Sequence, residues 1–156
     1  MKNEMKPIVV NHTASPTEQR RGPAVPAWMR LARVFQKVDR ASAEHLRAWG
    51  LSVAQFDVIA QVGSAEGITQ QELADKLLVT KGNICQLLDR LEQHGLIRRR
   101  QEGRVNHLFL TDAGQRLYHE VVPDQEGLIV EQFAALAPEE QSQLLALLRR
   151  LDHALE

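Results

Sequence analysis

Lys81, Asn83, Gln86 and Arg90 fall within one short stretch of the sequence, and all four carry side chains that can read base edges. A glutamine can pair in bidentate fashion with adenine N6 and N7, and an arginine can reach guanine or a phosphate. Thr80, just before them, offers a hydroxyl beside a helix N-terminus, a combination suited to a phosphate. Further on, Arg98-Arg99-Arg100 and then Arg104 can neutralise backbone phosphates, and Arg104 can probe a narrow minor groove. This is binding chemistry rather than covalent chemistry. The chain has no Gly-rich phosphate loop, no HExxH and no GxSxG, so an enzyme is not expected. Of the six histidines, His45, His119 and His153 adjoin another possible ligand, Glu44, Glu120 and Asp152. Neighbours on a helix point about 100° apart, which is poor ligand geometry, so neither a metal nor a cofactor is expected.

These side chains need a scaffold that presents them together. Thr69-Gln-Gln-Glu72 is a capping box opening a short helix at about 70–77. Leu78-Val79 makes a tight connection, and Thr80 caps a second helix at about 81–93. Ile84, Leu87, Leu88 and Leu91 form its buried stripe. The opposite face carries Gly82, Gln86, Asp89 and Gln93, flanked by Cys85 and Arg90, and Gly95 stops the helix. Two strand-like runs follow, Leu96–Arg100 and His107–Leu110, joined through Gln101–Asn106 with Gly103 at the tip.

Around this unit the pattern is helical. A helix from about Pro26 to Trp49 carries the stripe Trp28, Leu31, Phe35 and Val38, which continues through Ser42 and His45 and ends at Gly50. Ser52 caps a helix at about 53–63, and Thr111 caps a long one at about 112–131, expected to bend or break near Pro123. Pro138 starts a last helix whose Leu144, Leu148, Leu151 and Leu155 form a seam that needs covering. Residues 1–23 hold Pro7, Pro16, Gly22 and Pro23 without an apolar period and read as a mobile arm.

The expected fold is mainly α with a small β-hairpin wing. It is a winged helix-turn-helix lobe at 52–111 with dimerisation helices at 24–51 and 112–156. One helix-turn-helix reads few base pairs, so two copies on double-stranded DNA, forming a homodimer, are expected. A winged helix used only for protein contact is the rival of another class.

The net charge of −1 among 156 residues argues against nucleic acid only when read as a total. Residues 80–111 hold six basic and three acidic side chains, whereas 112–156 hold three basic and nine acidic. The basic surplus coincides with the helix and hairpin named above. Hydrophobic content of 44% and charged content of 25% exclude wholesale disorder. No apolar run approaches a membrane span, and the lone Cys85 fits a reducing compartment, so a cytoplasmic location is expected.

In its motifs the chain resembles the multiple-antibiotic-resistance-regulator (MarR) family of repressors. The resemblance rests on Leu51-Ser-x-x-Gln55, Thr69-Gln-Gln-Glu-Leu-Ala74, Val79-Thr-Lys-Gly-Asn83, Leu87-Leu-Asp-Arg-Leu-Glu92, Gly95-Leu-Ile-Arg98, Leu110-Thr-Asp-Ala-Gly114 and Leu136-x-Pro-Glu-Glu140. It covers roughly residues 26–155 and implies a homodimer with interleaved terminal helices on a palindromic operator. It further implies release by a small phenolic or aromatic molecule, or by thiol oxidation. The family's wing usually carries Asp-x-Arg on a longer loop. Here Glu102-Gly103-Arg104 stands in its place, with Glu102 able to brace Arg104, and Gln86 stands where the family often has arginine.

Two sensor readings follow. In the family, the effector pocket lies between the first, second and long helices, so His45, with Ser42 one turn earlier, is a candidate to hydrogen-bond an anionic or phenolic effector. The alternative is a histidine satisfied by its neighbours. Cys85, on the flank of the helix at 81–93, is a candidate thiol sensor, since oxidation there adds bulk at the DNA face. The alternative is a small residue that fits against DNA.

Overall fold

The computed structural model describes residues 22–156, so the expected arm lies outside the described residues up to residue 21. The chain divides into two compact units, Met1–Lys37 and Val38–Glu156. Helix α1, Ala24–Leu46, crosses the division. In the first unit Trp28 and Phe35 of the apolar stripe are each 66% exposed, as is Met29 beside them, while Leu31 is half-buried.

In the second unit, α1 ends in a 3-10 turn at Arg47–Trp49, followed by α2 (Val53–Ser64), α3 (Gln70–Lys76) and α4 (Lys81–Gln93). Strands β1 (Ile97–Glu102) and β2 (Val105–Leu110) come next, then α5 (Asp112–Phe133) and α6 (Pro138–His153). Local capping explains these starts. Ser52 Oγ accepts from the Gln55 N–H at 3.2 Å while Gln55 Oε1 accepts from the Ser52 N–H at 3.0 Å. Thr69 and Glu72 make the same reciprocal box at 3.1 and 2.8 Å. Thr80 and Thr111 each cap through one side-chain bond, to the N–H groups of Asn83 and Gly114.

The core gathers Val58, Ile59 and Val62 of α2, Leu73 of α3, Ile84, Leu88 and Leu91 of α4, and the hairpin's Ile97, Leu108 and Leu110. Leu87, expected inside, is only partly buried at the core's edge. Burying each of these aliphatic side chains stabilises the unit by roughly 1.5–3 kcal/mol.

The strands run further than their sequence pattern suggests. Gln101 pairs with Asn106 and Glu102 with Val105, which leaves a two-residue tip, Gly103-Arg104. Gly103 has φ 62°, the sign that a tight two-residue hairpin turn requires at this position. The expected six-residue connection is therefore mostly ladder. Residues 67–69 lie along β2 through an isolated bridge of Thr69 to His107: the Gly67 N–H donates to the Leu108 carbonyl and the Leu108 N–H to the Ile68 carbonyl, at 2.8 and 2.9 Å.

Helix α5 runs unbroken through Pro123, so of the bend or break expected there the break does not occur. The ring frees only the His119 carbonyl, and both residues are exposed, so water can take its place. In α6 no residue is buried, and Leu147 and Leu151, with Leu155 just past its end, are mostly exposed.

Three stops in the unit share one device. After the 3-10 turn, the Leu51 N–H reaches the Leu46 carbonyl and Gly50 reaches Arg47. After α4, Leu96 reaches Leu91 and Gly95 reaches Glu92. After α3, Val79 reaches Ala74 and Leu78 reaches Asp75. This crossed pair of bonds is the Schellman arrangement, which needs a left-handed residue. Glycine fills it twice, at φ 68° and 70°, but Leu78 fills it at φ 52°. A side chain there costs about 1–2 kcal/mol relative to right-handed backbone.

Candidate nucleic-acid interface

Helix α4 presents its polar residues in two groups. At 100° per residue, Asn83, Gln86 and Arg90 share an arc of about 60°, and all three are exposed. Lys81 lies on the other side of the exposed surface, toward the hairpin. There it lines a cleft of about 420 Å³ with Gln70, Ile84, Cys85, Arg104 and Val105. The structure thus brings Lys81, Cys85 and Arg104 together and leaves Asn83, Gln86 and Arg90 as a separate open face. Thr80 is exposed at the start of α4; its oxygen caps the helix, and its O–H is left free to donate.

The three-arginine run does not act as one block. Side chains alternate along a strand, so Arg99 faces inward while Arg98 and Arg100 face out. Arg99 binds Asp89 at 2.7 Å and Glu92 at 2.9 Å, and its guanidinium reaches the Cys85 carbonyl at 3.3 Å. All three partners belong to α4. Arg99 is therefore a fork joining the hairpin to that helix, and its charge is internally matched. Arg98 and Arg100 sit over the Phe109 ring at 4.7 and 5.0 Å from its centroid, both exposed. Stacking holds their stems while the charges stay in water.

The expected brace between Glu102 and Arg104 is absent. Glu102 instead pairs with Arg100 at 2.7 Å and lies 3.7 Å from His107. Glu102 and Arg100 are two apart on one strand face, whereas Arg104 belongs to the tip and stands exposed. His107 Nδ1 meets the Gly67 carbonyl at 2.9 Å, a second tie between hairpin and the start of α3.

Cys85 is half-buried, and its Sγ accepts from Gln70 Nε2 at 2.9 Å. His45 Nε2 lies 2.7 Å from Asp124 Oδ2, and Trp49 Nε1 donates to the same oxygen at 2.8 Å. The Trp49 bond first, and then His45, hold the Asp124 carboxyl below its ordinary pKa, against some opposing desolvation. A cleft of about 280 Å³ opens there between His45, Asp124, Leu128 and Glu131. Ser42 is buried and accepts from Gln125 Nε2 at 2.7 Å. Both residues named as effector contacts therefore have partners within the chain.

The sequence pattern did not single out Arg99, Asp124 or Leu78. Strand alternation gave the only available hint for Arg99. Asp124 lies 79 positions from His45, a pairing that only the fold supplies. Among the described residues there is no group of three potential metal ligands and no helix long and apolar enough to cross a membrane.

Residues 49–104 match the family model described as "MarR family". An HTH-type transcriptional regulator of Bacillus cereus is 35% identical over 118 residues, 76% of this chain and 80% of that one. The HTH-type transcriptional repressor MdtR of Bacillus subtilis is 29% identical, over 81% and 83% of the two chains. Among solved structures, a mutant MarR from E. coli in complex with operator DNA superposes with a TM-score of 0.73 at 27% identity, covering 88% of this chain and 99% of that one. The chain therefore belongs to the MarR family of DNA-binding, winged-helix transcriptional regulators.

Proposed function

We propose that the protein is a homodimeric repressor that binds a palindromic operator in double-stranded DNA and is released by a small phenolic or aromatic molecule. Asn83, Gln86 and Arg90 read the major groove. Thr80, Lys81, Arg98 and Arg100 hold phosphates, and Arg104 enters the minor groove. The observation that carries this reading is the Arg99 fork, which fixes an arginine-tipped hairpin beside the open polar face of α4. The repressor named MdtR and the operator-bound MarR support it by likeness. The dimer rests on the uncovered apolar faces of α1 and α6. The release site is the cleft beside His45 and Asp124.

The test is operator binding across salt concentrations, with duplexes selected from a random pool by the wild-type protein. Arg104→Ala is expected to weaken binding about tenfold and to lower the salt slope by about one. Unchanged affinity and slope overturn the role given to the hairpin. Absence of binding at low salt favours a protein-contact module instead. His45→Ala protein is expected to resist release by phenolic compounds, and unaltered release removes His45 from the site.

The position of Cys85 on the cleft favours a second reading, release by thiol oxidation. Its sulfur already occupies the Gln70 amide, so added oxygen would break that contact. Peroxide that releases wild-type and Cys85→Ser protein alike excludes it.

A further inference from the structure

Leu78 departs from the chain's own usage twice. The other two stops of its kind use Gly50 and Gly95, while this one holds a leucine at φ 52°. Its side chain is 93% exposed, so it gains nothing within the chain in return. The two flanking contacts of the turn are made by backbone alone, through the Leu78 and Val79 N–H groups. A single exposed leucine is ordinary on a surface, but this one also carries left-handed strain that no contact within the chain offsets.

The position says which partner. Leu78 stands two residues before Thr80, which caps α4, and exposed Lys76 and Lys81 flank it in the sequence. Any duplex that receives the start of α4 meets this turn. An apolar side chain with lysines two positions before and three after it suits the edge of a DNA groove. Phosphates there lie beside deoxyribose carbons and the thymine C5-methyl group.

We infer that Leu78 makes an apolar contact with bound DNA at the edge of the major groove, and so helps determine operator affinity; this rests on the DNA-reading role proposed for α4. Two groups on DNA offer the same chemistry, the thymine methyl and the deoxyribose face. Leucine reaches either with its branched end without altering the count of charged contacts.

The experiment compares wild type, Leu78→Gly and Leu78→Ala on the selected duplex and on the same duplex with uracil replacing thymine. Leu78→Gly keeps the fold, because glycine is the ordinary residue for this conformation; its thermal midpoint is expected at, or up to about 4 °C above, that of wild type. Its affinity for the selected duplex is expected to fall about five- to tenfold with an unchanged salt slope, and Leu78→Ala to fall between. If uracil weakens wild type but not Leu78→Gly, the contact is to the methyl group. If uracil affects both alike, it is to the sugar. Affinity of Leu78→Gly equal to wild type overturns the inference, as does a change confined to the sedimentation coefficient, which would mean that a second copy covers the residue. If wild type itself binds no duplex at low salt, the reading of α4 fails first.

Discussion

Gln86 stands open in the middle of the α4 face, with no intramolecular hydrogen bond needed to hold the helix. Gln86→Ala is expected to lose about 1–3 kcal/mol of discrimination at one base pair while leaving the salt slope in place. Binding to duplexes varied at each position checks this, and an unchanged preference removes Gln86 from the readout. Asp57 of α2 makes a different kind of prediction. Burial first, and then Asp39, raise its carboxyl above the ordinary carboxylate pKa. The fold therefore favours the protonated form, and that stabilising contribution is complete below the ordinary pKa and lost as pH rises through the raised one. Asp57→Asn is expected to raise the thermal midpoint at neutral pH by roughly 2–4 °C, with the gain vanishing below about pH 4. Melting curves across that range check it, and equal midpoints at neutral pH refute it. At this scale residue types could be read from the sequence, because chemistry belongs to the side chain. Partners could not. Nothing in Arg98-Arg99-Arg100 distinguishes the middle residue until the strand's alternation turns it toward Asp89 and Glu92.

Among the elements, the hairpin and α4 share a core, and the Arg99 guanidinium adds a polar tie between them. Arg99→Ala is expected to weaken operator binding about tenfold yet leave the slope of affinity against salt unchanged, since its charge is already matched within the chain. Arg99→Lys is expected to rescue little, because an ammonium cannot span two carboxylates and a carbonyl as a planar fork does. A lowered slope in Arg99→Ala would show that the residue reaches phosphate after all. Helix starts were readable from short-range rules, since a cap involves residues three apart, as Thr69 and Glu72 illustrate. The hairpin was underestimated because Gln101, Glu102, Val105 and Asn106 are polar or exposed and carry no apolar alternation. Their pairing follows from the tight Gly103-Arg104 tip rather than from burial. At Pro123, where the sequence suggests a bend or a break, the helix is unbroken, because an exposed helix side tolerates the loss of one hydrogen bond.

For the whole molecule, the near-neutral total charge conceals an acidic C-terminal region and a basic reading region. The uncovered leucines of α6 set the final prediction. Leu151→Glu is expected to shift the protein from dimer to monomer in sedimentation velocity and to abolish high-affinity operator binding, because one lobe cannot hold two half-sites. A dimer that survives the substitution refutes the proposed interface. The reading lobe has a further consequence. The residues before α3 are laced to β2 by Gly67, Ile68 and Leu108, His107 is tied to the Gly67 carbonyl, and Arg99 anchors β1 to α4. The parts proposed to touch DNA are therefore already ordered before binding. Association should carry little entropic penalty for arranging them, and its heat-capacity change should report buried surface alone rather than coupled folding.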